Sequence, residues 1–114
     1  MKGRTISIAV VEDDAGLRES LRLLVSESDG FRCAGAFGSA EEALARLGED
    51  PPDVLLLDIR LPGEPGSRAV RRFVDRFPAL VVVMLTLYAE DEHVFEARCN
   101  GASGYLLKKT PPAR

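Results

Sequence analysis

Four short stretches place reactive side chains at the end of an apolar run. The first runs from Thr5 to Val11 and stops at Glu12-Asp13-Asp14. The second, Val54-Leu55-Leu56-Leu57, leads straight into Asp58. The third, Leu80 to Leu85, ends at Thr86, and the last, Gly104 to Leu107, ends at Lys108. Continuous apolar runs of this length suit strands buried on both faces of a parallel sheet. The carboxyl ends of such strands share one edge, where open α/β sheets bind ligands. Three acids (Glu12, Asp13, Asp58), the Thr86 hydroxyl and the Lys108 ammonium would then meet in one place. Taken alone, Asp58 could simply cap the Leu61-Pro62-Gly63 turn after it, a frequent use of aspartate. Its company at the other strand ends argues for chemistry instead.

Three carboxylates a few ångströms apart repel one another and do not all stay ionised unaided at neutral pH. Lys108 offsets one of the three negative charges, and a divalent cation would balance the rest. Oxygen ligands without His or Cys favour Mg²⁺, with Mn²⁺ as the alternative, over zinc. A carboxylate beside a hard cation, a lysine and a hydroxyl can act as a nucleophile toward phosphorus. The cation and the ammonium neutralise the oxygens of the transferred group. Thr86 is placed to hydrogen-bond a phosphoryl oxygen. His93 lies beside Asp91 and Glu92 on a predicted helix and reads as a solvated surface residue.

The segments between these strands must position them. A helix is expected over 15–28, with Asp14 as N-cap and Leu17, Leu21, Leu24 and Val25 on one face. Asp29-Gly30 should stop it. Residues 31–37 read as a second strand, at an edge because Arg32 and small residues weaken it. Ser39 with Glu42 forms a capping box opening a helix whose inner face is Ala40, Ala43, Leu44 and Leu47. The third strand is expected over 53–57. A helix over 66–77 turns Val70, Phe73, Val74 and Phe77 inward and Arg68, Arg71, Arg72 and Arg76 outward, and Pro78 ends it. A helix over 90–100 has the least regular apolar stripe. The order is β-α-β-α-β-α-β-α-β, which implies right-handed crossovers and a doubly wound α/β sheet.

The 114 residues suffice for one compact domain, and 46% hydrophobic with 29% charged residues fits an ordinary globular chain. A net charge of −3 gives no sign of a nucleic-acid surface. The longest apolar run, Ala79 to Leu85, is far short of the roughly twenty residues of a membrane span. The basic start Met1-Lys2-Gly3-Arg4 is followed by a run broken at Glu12, so no signal peptide and no membrane partner are expected. Cys33 and Cys99 read as free buried thiols of a cytoplasmic protein.

The pieces Val-Val-Glu-Asp-Asp (10–14), Leu-Leu-Leu-Asp-Ile-Arg-Leu-Pro-Gly (55–63) with Gly66, Met-Leu-Thr (84–86) and Gly-Ala-Ser-Gly-Tyr-Leu-Leu-Lys-Lys (101–109) occur in this order on strand ends. In this the chain resembles a response-regulator receiver domain, the CheY-like family of two-component signalling, over essentially its whole length. The resemblance implies a flavodoxin-like five-stranded parallel sheet of order 2-1-3-4-5, the order known for that family. It implies that Asp58 accepts phosphoryl from a phosphohistidine on a sensor histidine kinase. Glu12, Asp13, Asp58 and the backbone carbonyl of Arg60 would hold Mg²⁺. Lys108 would pair with the phosphoryl group, Thr86 would swing toward it, and Tyr105 would move inward. Asp-Ile-Arg-Leu-Pro-Gly and Leu-Leu-Lys-Lys-Thr resemble the NarL/FixJ-type subgroup. Its members carry a LuxR-type DNA-binding domain, so DNA would be reached only through an effector domain absent from this chain, with a homodimer as a further partner arrangement.

Some features depart from that pattern. Leu87 stands where the family has a small residue and is expected to narrow access to Asp58. Glu64-Pro65-Gly66 replaces an apolar-Asp-Gly sequence, and Pro65 should stiffen the loop. Residues 1–114 read as one receiver domain cut near Pro111-Pro112, before the family's fifth helix, leaving one sheet face short of apolar cover. Two other functions compete. A Mg²⁺-dependent phosphohydrolase would use the same aspartate but generally wants a second acid where Arg60 stands. A phosphorylation-independent interaction module would be signalled by loss of Asp58, Thr86 or Lys108, and all are present.

Overall fold

The computed structural model describes residues 5–48, 50–88 and 91–108. The elements in chain order are β1 (Ile6–Val11), α1 (Ala15–Ser26), β2 (Phe31–Phe37), α2 (Ala40–Arg46), β3 (Val54–Asp58), α3 (Gly66–Arg76), β4 (Val81–Thr86), α4 (Glu92–Cys99) and β5 (Gly104–Leu107). The strands form one sheet of order β2-β1-β3-β4-β5. All its pairings are parallel. This is the expected flavodoxin-like doubly wound topology, with four helices among the described residues. Glu90, expected to start the fourth helix, and Pro111-Pro112 lie outside the described residues.

Alternation along the strands builds two cores, because successive side chains point to opposite faces. Ala9, Val11, Leu55, Leu57, Val82 and Met84 face α2, α3 and α4, where Leu44, Val70, Phe73 and Ala97 complete the larger core. Val10, Leu56 and Leu85 face the other way and form a much smaller one. Among the described residues only α1 packs on that second face, against β1 and β2. A hollow of about 320 Å³ remains between α1 and β5, lined by Leu21, Leu24, Leu56, Leu85 and Leu106. Among the described residues, apolar cover of this face is thinnest beside β5.

Several boundaries differ from the expectation for local reasons. The first helix ends at Ser26, before Asp29-Gly30: the Ser28 hydroxyl donates to Leu24 O (2.6 Å) and the Ser28 N–H to Val25 O (3.2 Å), closing the last turn early. Leu24, expected inward, is 63% exposed at the rim of the hollow. Strand β3 runs one residue further than expected, and Asp58 itself pairs in register with Leu85. The thiols are free, but Cys33 is half-buried and Cys99 exposed, so neither is a core residue. The outward arginines of α3 are not merely solvated. Arg68 pairs with Glu96 (3.2 Å) and Arg72 with Glu64.

The predicted cap of α2 is present in a slightly shifted form. Ser39 Oγ accepts the Glu42 N–H (3.1 Å), while Glu42 Oε1 accepts from the N–H of Gly38 rather than from that of Ser39 (3.2 Å). Ser39→Ala should cost about 1 kcal/mol, the usual value of such a cap. Urea unfolding monitored by circular dichroism will read it as a lower midpoint at unchanged slope.

Candidate functional site

Parallel pairing brings the ends of β1, β3, β4 and β5 to one edge. The Glu12 N–H donates to Phe37 O (2.9 Å), which prolongs the ladder by one residue and fixes where Glu12 stands. The Lys108 N–H donates to Thr86 O (2.7 Å), which does the same for the lysine. Glu12, Asp58 and Thr86 are all buried, at 1%, 1% and 0% exposure. Asp13 is exposed at the rim. Carboxylate oxygens of Glu12, Asp13 and Asp58 lie within 4.8 Å of one another.

Lys108 Nζ bridges two of the acids, at 2.9 Å from Asp58 Oδ1 and 3.2 Å from Glu12 Oε1. Asp58 Oδ1 also accepts the Arg60 N–H (3.2 Å), and Glu12 Oε2 accepts the Asp14 N–H (3.1 Å). Asp58 Oδ2 is buried with no hydrogen-bond partner. A buried, unpaired carboxylate oxygen is costly unless something binds it. This oxygen, together with a cluster of hard oxygen donors carrying excess negative charge, fits a small divalent cation.

The electrostatics follow from the same contacts. Burial pushes the Asp58 carboxyl up most strongly. The Lys108 hydrogen bond opposes this, the negative charge of Glu12 adds to it, and the Arg60 N–H opposes it again. The outcome is a pKa of about 6. Burial works against the Lys108 ammonium, but Asp58 and Glu12 outweigh it and hold Lys108 above the usual lysine range. The pair is thus poised to lose negative charge at Asp58 rather than positive charge at Lys108.

The remaining expected residues make other contacts. The Thr86 hydroxyl is engaged within its own loop, donating to Tyr88 O (3.2 Å) and accepting from the Tyr88 N–H (3.3 Å). Tyr105 pairs with Met84 in the sheet, and its side chain is 40% exposed rather than turned inward. Leu87 is half exposed. Arg60 meets Asp58 through its backbone N–H, while its guanidinium reaches Asp91 Oδ2 at 2.9 Å.

Sequence reasoning missed the contacts made by Arg18 and Asp91, and noted Gly66 only as part of a motif, without its packing role. Arg18 Nη1 donates to the Glu12 carbonyl (2.8 Å), pinning the acidic loop from the first turns of α1. A basic side chain one turn after an acidic loop is a weak signal for this, since a helical side chain leans back toward the N-terminus. Asp91 caps α4, its Oδ1 accepting the His93 N–H (2.8 Å), and its pairing with Arg60 has no local signature. Gly66 packs directly on Asp58: a Cβ there would lie 1.8 Å from the Asp58 carbonyl oxygen.

The chain is similar to known proteins. The family described as "Response regulator receiver domain" matches residues 8–114. The chain is 37% identical over 103 residues to the transcriptional regulatory protein CitT of Bacillus subtilis, covering 90% of this chain and 46% of that protein. It is 31% identical over 107 residues to the oxygen regulatory protein NreC of Staphylococcus carnosus, covering 93% and 49%. The chain thus spans about half the length of the curated relatives it matches. A solved two-component response regulator of the LuxR family from Aurantimonas sp. SI85-9A1 superposes with a TM-score of 0.86 at 30% identity, covering 95% of this chain and 77% of that one. No helix among the described residues is long and apolar enough to cross a membrane.

Proposed function

We propose, from the premise that this chain belongs to the response regulator receiver domain family, that Asp58 is its phosphoacceptor. The domain is a signalling receiver of the NarL and LuxR type rather than a conventional enzyme. The observation that carries the proposal is the asymmetry of the Asp58 carboxylate. Oδ1 is anchored by Lys108 and the Arg60 N–H, whereas Oδ2 is buried and unpartnered. One oxygen is held and the other is left to attack.

Oδ2 attacks phosphorus of a phosphohistidine on a sensor kinase. The O–P bond forms as the P–N bond breaks, and the imidazole leaves with the bonding pair. Lys108 stays beside the new acyl phosphate and offsets its charge. Glu12, Asp13, Asp58 and the Arg60 carbonyl would hold Mg²⁺, or Mn²⁺ in its place, which supplies charge neutralisation on the phosphoryl oxygens. The added group brings about −1.5 to −2 charge and three strong acceptors. Thr86 gives up its bonds to Tyr88 to donate to one of them, and Tyr105 turns inward on the neighbouring strand. The α4 and β5 face then takes its second arrangement.

In a cytoplasmic regulator built like the relatives, that face reports to a DNA-binding domain outside this chain, or to a second copy of the receiver. Weak self-phosphorylation and self-dephosphorylation are the only turnover expected. The phosphohydrolase reading gains nothing from the site, because the position two residues after Asp58 holds Arg60 with its guanidinium turned to Asp91.

Incubation with Mg²⁺ and phosphoramidate, followed by intact mass measurement, tests the proposal. One acid-stable, base-labile phosphoryl adduct is expected. A protein that takes none, or takes it equally when Asp58 is replaced by Asn, would overturn it.

A further inference from the structure

Among the described residues, one ion pair joins the loop after Asp58 to the start of α4. Arg60 Nη2 lies 2.9 Å from Asp91 Oδ2. Asp91 is the N-cap of α4, and its own N–H donates to Tyr88 O (3.1 Å). That carbonyl is the one that accepts the Thr86 hydroxyl. A continuous chain of contacts therefore runs from Asp58 through the Arg60 backbone to its guanidinium, then to Asp91, Tyr88 and Thr86. Both strand ends of the site are on it.

These contacts matter because α4 has little else to hold it. It spans Glu92–Cys99, and Ala97 is its only buried residue. Val94 packs partly against the core, while Phe95 is 74% exposed. A short helix with few buried apolar contacts sits at the low-stability end of a fold, where one terminal contact shifts its position measurably.

We propose that the Arg60–Asp91 pair is a latch that holds the start of α4 in its unphosphorylated arrangement and so sets how readily Asp58 takes a phosphoryl group. The inference rests on the phosphoacceptor reading above. Every one of these contacts is made while Thr86 bonds to Tyr88. If Thr86 turns to a phosphoryl oxygen, Tyr88 loses a donor and an acceptor, and the N-cap must shift with it. Arg60 must then release Asp91. Arg60 and Asp91 are positioning residues here, since only the Arg60 backbone touches the reacting carboxylate.

Two substitutions separate the latch from its neighbours. Asp91→Asn removes the charge but keeps a good N-cap, because Asn and Asp cap equally well. Arg60→Ala removes the guanidinium but keeps the backbone N–H and carbonyl. Plain electrostatics would make these variants differ in direction, since one removes a negative charge near the acidic site and the other a positive one. A latch makes them agree.

The rate of adduct formation with phosphoramidate and Mg²⁺ should rise about 2- to 5-fold in each variant, the range expected of an ion pair whose arginine stays in solvent. The double variant should be no faster than the faster single, and Arg60→Lys should lie near wild type. Opposite shifts in the two singles, full additivity in the double, or unchanged rates would overturn the latch while leaving the phosphoacceptor reading intact. If wild type itself forms no adduct, that reading falls and the latch with it.

Discussion

Asp58→Asn will take no phosphoryl group and will nonetheless be more stable than wild type above pH 6. The first half follows from chemistry: a carboxamide lacks the anionic oxygen that attacks phosphorus. The second follows from linkage. The Asp58 pKa is raised from 3.8 to about 6 in the folded protein. A raised pKa means the folded state holds the proton over a window in which the unfolded chain has released it. The stability this provides is fully present below pH 3.8 and is lost as pH rises through about 6. At 1.36 kcal/mol per unit, ionising Asp58 in the fold costs ~3 kcal/mol. Asn removes that cost but leaves Lys108 with Glu12 as its remaining close partner, so a net gain of ~1–2 kcal/mol is expected at pH 7.5. Thermal unfolding in a metal chelator should show the variant ahead at pH 7.5 and level with wild type near pH 4. Added Mg²⁺ should narrow the gap at pH 7.5, because ligand binding stabilises the protein that holds the full carboxylate set. A variant less stable than wild type at pH 7.5 would show that Asp58 is a net stabilising ion-pair partner instead.

Gly66→Ala should cost ~2–4 kcal/mol, near the top of what overpacking produces. Gly66 opens α3 where it meets the end of β3. A Cβ at this position would stand 1.8 Å from the Asp58 carbonyl oxygen, 2.9 Å from its carbonyl carbon and 3.3 Å from Ile59 Cα. Those neighbours are backbone, so no rotamer change relieves the clash, and either α3 or β3 must shift. A shift of β3 moves the Asp58 carboxylate away from Lys108 and Glu12, so the rate of adduct formation should fall along with the unfolding midpoint. Gly104 serves as the control: nothing lies within 4 Å of a Cβ built there, and Gly104→Ala should be close to neutral. If Gly66→Ala were as mild as Gly104→Ala, close packing of α3 onto the site would not be a requirement of this fold.

Much of the site could be read from order alone. Each functional side chain follows an apolar run, and in parallel strands every run ends on the same side of the sheet. Glu12, Asp13, Asp58, Thr86 and Lys108 could therefore be grouped before any distance was known. The inner faces of α2 and α3 were equally legible, because Ala43, Leu44, Val70 and Phe73 keep helical spacing and their partners are the densest apolar runs in the chain. Reading failed where local pattern and tertiary environment part. Leu24 has the right spacing for a buried residue, yet among the described residues no element covers it at the rim of the hollow and it stays exposed. Cys33 lies on an edge strand and Cys99 on the outer side of a thinly packed helix, so neither small apolar side chain is in the core. The outward arginines of α3 looked merely solvated because their acidic partners come from other segments.

The sequence by itself determined which groups reach the sheet edge, because strand polarity and side-chain alternation are local properties carried by residue order. Only the tertiary structure decided how those groups meet. It decided that Lys108 holds one oxygen of Asp58 and leaves the other bare, that burial lifts the Asp58 pKa to about 6, that Thr86 rests on Tyr88, and that Arg60 reaches across to Asp91. Most of these depend on distances of a few ångströms between segments far apart in the chain, and on how much water the packed elements exclude; the Thr86–Tyr88 bonds are local but depend on the path the loop takes in the fold. Neither quantity is written in the spacing of residues along the chain.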